Sequence, residues 1–170
     1  MTNRLKPHEV VASLQSTPAV LRNLLYSLPS EMFTWHPTHG RWCIKEVVGH
    51  LIEADRHDFI GRIRLILDQE EPRLTVSDQA EIARMRHDCD HDLHELLDEF
   101  SNQRSGSLSF ISTFGDNELH RGGVHPTIGY LHIGNLLHEW VYHDMNHVRQ
   151  ILVNVQGFLR EHMGNMQQFY

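Results

Sequence analysis

A chain of 170 residues with 40% apolar and 22% charged side chains carries enough hydrophobic material for one ordinary core and too little for two generous ones. That composition excludes disordered, collagen-like and low-complexity classes and predicts a single domain over residues 1–170. The formal net charge of −7 opposes a basic face for nucleic-acid phosphates or anionic lipid, and no apolar run nears the roughly 20 residues that a bilayer crossing requires.

The expected setting is cytoplasmic, because Met1 to Val10 holds no signal-like apolar stretch. Two cysteines, Cys43 and Cys89, stand outside any CxxC spacing and read as buried thiols. Apolar spacing is helical and no run alternates as a strand would, so an all-α fold is expected. Pro7 and Thr17-Pro18 suit helix starts, which leaves residues 9–28 as one kinked helix or two short ones, stopped by Pro29. After the aromatic stretch 33–42, Ile44, Val48, Leu51, Ile52, Phe59 and Ile66 recur at helical intervals and predict a long second helix over 43–69. Pro72 closes it. Ser77 is placed to cap a third helix running to about residue 104, its stripe formed by Ile82, Cys89, Leu93, Leu96, Leu97 and Phe100. The glycine-rich stretch 105–129, with a short helix at 108–114, reads as a crossover. A final helix over 130–158 buries Ile133, Leu137, Trp140, Val148, Ile151, Leu152 and Val155. Four helices of this length share one core, and the architecture predicted is a four-helix bundle with a long crossover connection before the last helix.

Histidine is the anomaly: 15 residues, as many as lysine and arginine together. Scattering them at random gives about 1.3 pairs spaced i, i+4, and two such pairs are present, so spacing alone decides nothing. Direction does. His87, His91 and His94 fall opposite the stripe of the third predicted helix and read as a solvated face. His143 and His147 lie at the margin of the buried stripe of the last helix and point inward, where i, i+4 spacing permits chelation. Asp144 between them projects near the stripe centre and demands a cation or donors inside. On the second helix Glu46, His50, Glu53 and His57 share a face, and periodicity leaves His50 evenly balanced between ligand and surface residue.

Trp42-Cys-Ile-Lys-Glu-Val-Val-Gly-His50-Leu-Ile-Glu-Ala-Asp55, followed by Trp140-Val-Tyr-His143-Asp-Met-Asn-His147-Val-Arg-Gln, resembles the DinB-like/YfiT-like four-helix proteins. The early Thr17-Pro18-Ala-Val-Leu and the His125-Pro126-Thr-Ile-Gly129 segment extend the likeness over most of the chain. The resemblance implies a divalent metal ion, zinc, nickel or iron, held by His50, His143 and His147. It implies a metalloenzyme class acting on a small-molecule substrate, either a hydrolase or an S-transferase using a low-molecular-weight thiol. Three imidazoles leave positions open for a reactant.

The chemistry of the neighbouring residues adds Asp55 and Asp144 as candidate catalytic carboxylates, with Asp144 or Glu139 accepting a ligand ring N–H and Asp55 or Glu53 acting as base. Glu53 and Glu139 are otherwise read as surface carboxylates, His57 as an exposed residue or an extra ligand, and His125 as a turn residue or a visitor to the site. Trp35, Trp42 and Trp140 read as core or mouth lining. A different class remains open, a non-catalytic metal-binding or stress-related helical protein using the same site structurally or as a sensor, and so does a metal-free bundle with satisfied histidines. A homodimer is expected in either case.

Overall fold

A computed structural model describes residues 5–169. Helix α1 spans Pro7–Leu25, started by a proline whose missing N–H costs nothing at that position. The Lys6 N–H donates to the Glu9 carboxylate at 2.7 Å. Of the two readings the sequence allowed, one continuous helix is formed, with Pro18 inside it. A proline there removes the N–H that would have bonded the Leu14 carbonyl. That carbonyl instead accepts a hydrogen bond from Nη1 of Arg104 at 2.9 Å.

The second helical run keeps the predicted bounds but is not uniform. Helix α2, Ile44–Glu53, starts where the Cys43 N–H bonds the Glu46 carboxylate at 2.8 Å. It passes without a break into a π-helical stretch, Ala54–Gly61, and then into α3, Arg62–Asp68. The wider π turn changes the wheel. Asp55 and Phe59 face the interior, whereas His57 is exposed and pairs with Glu53 at 3.2 Å.

The predicted third helix over 77–104 is two helices. Helix α4, Gln79–Arg86, is capped by Asp78, whose carboxylate accepts from the Glu81 N–H, and it ends at His87 in the left-handed region with φ of 52°. A 3₁₀ turn, Asp88–Asp90, separates it from α5, Leu93–Ile111, which Asp92 caps by accepting from the His94 and Glu95 amides. No glycine or proline marks the break, so the periodicity of two helices reads as one. Ser77 is not the cap; its hydroxyl donates to Asp58 at 3.2 Å. The short helix expected at 108–114 is the end of α5.

The connection before the last helix contains α6, Asp116–His120, and an antiparallel hairpin of β1, Gly122–His125, and β2, Gly129–His132. These strands were not expected, since four residues rich in glycine cannot display an alternating pattern. Gly129, at φ of 79°, closes the turn. Helix α7 follows over Ile133–Glu161.

Helix α1 packs on α5 and α7, and α2 packs on the same two, which closes a four-membered bundle. The apolar core falls into two clusters. One gathers around Leu14, Phe59, Leu108 and Trp140, the other around Leu21, Ile52, Phe100 and Ile151. On α1, α5 and α7 a buried polar residue lies in sequence between the two, Thr17, Arg104 and Asp144, and on the second run buried Asp55 follows directly on the switch from Ile52 to Ala54. Among the described residues no helix is long and apolar enough to cross a membrane.

Candidate metal centre

His50 sits at the seventh position of α2, and His143 and His147 lie one turn apart on α7, which packs against α2. One ring nitrogen of each lies within 4.8 Å of the others. The Nε2 atoms of His50 and His143 are 3.0 Å apart, and ring centroids are separated by 4.5 Å for His50 and His147 and by 4.4 Å for His143 and His147.

The far sides of two rings are held by amides. His50 Nδ1 meets Oε1 of Gln79 at 3.0 Å, and His147 Nδ1 meets Oε1 of Gln150 at 2.8 Å. An amide oxygen only accepts, so each Nδ1 carries the proton and each Nε2 keeps a lone pair. Gln79 is itself oriented, its Nε2 donating to Asp58 at 2.7 Å. His143 differs, since its Nδ1 is buried without a hydrogen-bond partner. Phe59 meets the His143 ring edge-on at 5.3 Å and stacks on Trp140 at 4.8 Å.

Burial keeps the rings neutral. Desolvation, with the neighbouring His147 as a second cause, lowers His50 to about 4. Desolvation with His147 and His50 lowers His143 to about 3. His147 is lowered by the same burial, opposed by Gln150 and Asp144. Neutral imidazole is the form that ligates a metal, so this donor set fits a divalent ion: three convergent nitrogens, two with their tautomer fixed from outside.

The carboxylates expected beside it are engaged elsewhere. Asp55 and Asp144 are fully buried, and both bind Arg104: Nε reaches Asp55 at 3.0 and 3.2 Å, while Nη1 and Nη2 reach Asp144 at 2.6 and 3.1 Å. The guanidinium also lies over the Phe100 and Trp140 rings. Burial pushes Asp55 up to about 6 against the pull of Arg104. The ring N–H acceptors are Gln79 and Gln150, where Asp144 or Glu139 was expected. Glu139 instead lies close to Arg62 and Asp58. Glu53, read as a surface residue, is buried and binds Arg86 at 2.6 Å and Arg56 at 3.0 Å.

His57 stands outside the cluster, and His125 accepts from the Thr127 and Ile128 amides within its own turn. His87, His91 and His94 are exposed. Trp140 is core, whereas Trp42 packs on His50 at 4.8 Å and lines an open cleft with Arg41, Asn146, Arg149 and Gln150. The sequence signalled Arg104 only indirectly, through the unpaired acid at Asp144. It carried no signal for Gln79 or Gln150, whose roles depend on which segment folds over the rings.

The fold is a helical bundle that brings three histidines together from its second and last members, a donor set with room for a divalent ion. The chain belongs to the DinB superfamily, whose family model matches residues 13–151. A protein of Oceanobacillus iheyensis provisionally named a metal-dependent hydrolase is 22% identical over 144 residues, covering 85% of this chain and 83% of that one. Among solved structures, YfiT from Bacillus subtilis, described as a probable metal-dependent hydrolase with an unusual four-helix bundle topology, superposes with a TM-score of 0.81 at 20% identity. That match covers 92% of this chain and 91% of that one. A variant of a mycothiol-dependent maleylpyruvate isomerase shares the fold with a TM-score of 0.64 at 11% identity, covering 85% of this chain and 60% of the other.

Proposed function

We propose that this chain is a divalent-metal-dependent hydrolase of a small molecule, with the ion held by His50, His143 and His147. The observation that carries the reading is the convergence of three neutral rings, His147 buried and the other two half-buried, of which two are fixed with Nε2 inward by Gln79 and Gln150. The names of the relatives support the same class. A divalent ion bound there supplies Lewis acidity, polarising a scissile carbonyl or making water more acidic.

The protein's own groups do the rest. The Asp58–Gln79–His50 relay holds one ring against rotation, and Gln150 holds another. Phe59 walls the site on the interior side, with Trp140 stacked behind it. Arg104 occupies Asp55 and Asp144, so in this proposal the two acids position the helices that carry the histidines and do not move protons during turnover. Arg41 and Arg149 give the adjoining cleft a positive mouth, which suits a substrate bearing a carboxylate or another anionic group.

Metal analysis of the purified chain, alongside a His143→Ala, His147→Ala variant, tests the site. A panel of esters, amides and electrophiles, run with and without a small thiol, tests the chemistry. Expected are one ion lost in the variant and metal-dependent turnover without thiol. Turnover only with thiol would reassign the chain to S-transfer, and full metal occupancy with no turnover in either arm would assign the ion a structural or sensing role.

A further inference from the structure

A second group of donors lies at the start of α2, apart from the three histidines. Cys43 precedes the helix, Glu46 stands in its first turn, His36 comes from the preceding loop, and Cys89 comes from the 3₁₀ turn between α4 and α5. One donor atom of each lies within 4.8 Å of every other. The two Sγ atoms are 3.2 Å apart and His36 Nε2 is 3.0 Å from Glu46 Oε2. We propose that Cys43, Cys89, His36 and Glu46 form a second metal site, a four-donor S₂NO set for zinc or a similarly thiophilic divalent ion.

The chemistry of the set selects the ion. Two sulfurs with one imidazole and one carboxylate match a tetrahedral, borderline-soft cation and not magnesium or calcium, which take oxygen. Exposure is graded from buried Cys43 through half-buried Cys89 and Glu46 to exposed His36, so an ion has a way in. His36 and Glu46 also line a surface cleft with Arg41 and Arg84. Two thiolates and a carboxylate around a divalent ion leave one excess negative charge. The N-terminus of α2 and Lys45, whose Nζ donates to the Cys89 carbonyl at 3.1 Å, face that charge with the right sign.

An ordinary thiol is S–H at neutral pH, so binding displaces two protons to solvent as two metal–sulfur bonds form. Cys43 lies two turns ahead of His50, about 10 Å along the axis. An ion there would tie residues 36–43 to the α4–α5 turn and fix Trp42 against His50.

The test uses the full, reduced, metal-free chain titrated with cobalt(II) and then zinc. Expected are two equivalents of cobalt bound, a sulfur-to-cobalt charge-transfer band that saturates with one of them, and two protons released for that equivalent. The band should survive in the His143→Ala, His147→Ala variant, disappear in Cys89→Ser, and need at least about tenfold more cobalt in His36→Ala. Both single variants lie at the surface end of the set, so the test does not depend on tolerance of Cys43→Ser in the core. A wild-type chain without the band, or a band unchanged in Cys89→Ser, would overturn the site. So would protein purified under reductant whose mass is two hydrogens short through a Cys43–Cys89 disulfide.

Discussion

At the scale of the residue, the histidines are prepared by what they cannot do. Half-buried, partly desolvated and mutually repelling if charged, His50 and His143 are lowered to about 4 and about 3, whereas in an unfolded chain they protonate near 6.5. Below that value the unfolded state binds protons that the folded rings refuse, so stability falls with pH. Asp55, raised to about 6, works in the opposite sense between about 4 and 6, and Asp88 and Glu139, which burial also raises, act with it; the three lowered rings of the cluster, His147 included, outweigh them. Metal-free protein should therefore lose stability from pH 6.5 toward 4, in total by a few kcal/mol at order of magnitude. Urea midpoints in chelator across that range measure it, and a flat profile would refute the neutral cluster. Gln79→Ala frees the outer nitrogen of His50 and should weaken metal binding by about 10- to 100-fold with the fold intact, read by competition with a chelating dye.

Helix α2 shows how an element is shaped by its neighbour. A Cβ at Gly49 would overlap the Asp88 carboxylate, which Arg86 Nε holds from the other side at 3.0 and 3.2 Å. The α4–α5 turn therefore lies directly on α2, which sets Cys89 opposite Cys43. Gly49→Ala should cost about 1–3 kcal/mol and shift the Asp88–Asp90 turn, measured by urea unfolding and by the reactivity of Cys89. An unchanged midpoint would mean that the close approach is relieved without cost. The π stretch is the other local device. By turning Asp55 inward and His57 outward it decides which acid meets Arg104 and which histidine stays in water.

Across the whole molecule the polar layer is the joint between two apolar clusters. Arg104 binds Asp55 from the π stretch, Asp144 from α7 and the Leu14 carbonyl that Pro18 leaves free on α1, so one side chain touches every other bundle member. Arg104→Met would leave two buried carboxylates without their cation and should cost about 3–5 kcal/mol. Adding Asp55→Asn and Asp144→Asn should recover part of it, since amides bear no charge. Urea unfolding decides, and a loss under about 1 kcal/mol for Arg104→Met would show that water replaces the guanidinium.

Much of this was written in local spacing. Helical periodicity along α1, α2 and α7, the inward direction of His143 and His147, and the need for a cation at Asp144 follow from one face of a helix having to leave water. A helix wheel could not settle His50, because its ring sits where the stripe ends and only packing against α7 decides its side. The break at His87 and the π turn at Ala54 depend on contacts with other segments, as do the glutamines behind the rings and Arg104 as the partner of both acids. Periodicity records which residues avoid water, whereas the pairing of polar groups inside is set by which chain segments meet, and that is fixed only when the bundle closes.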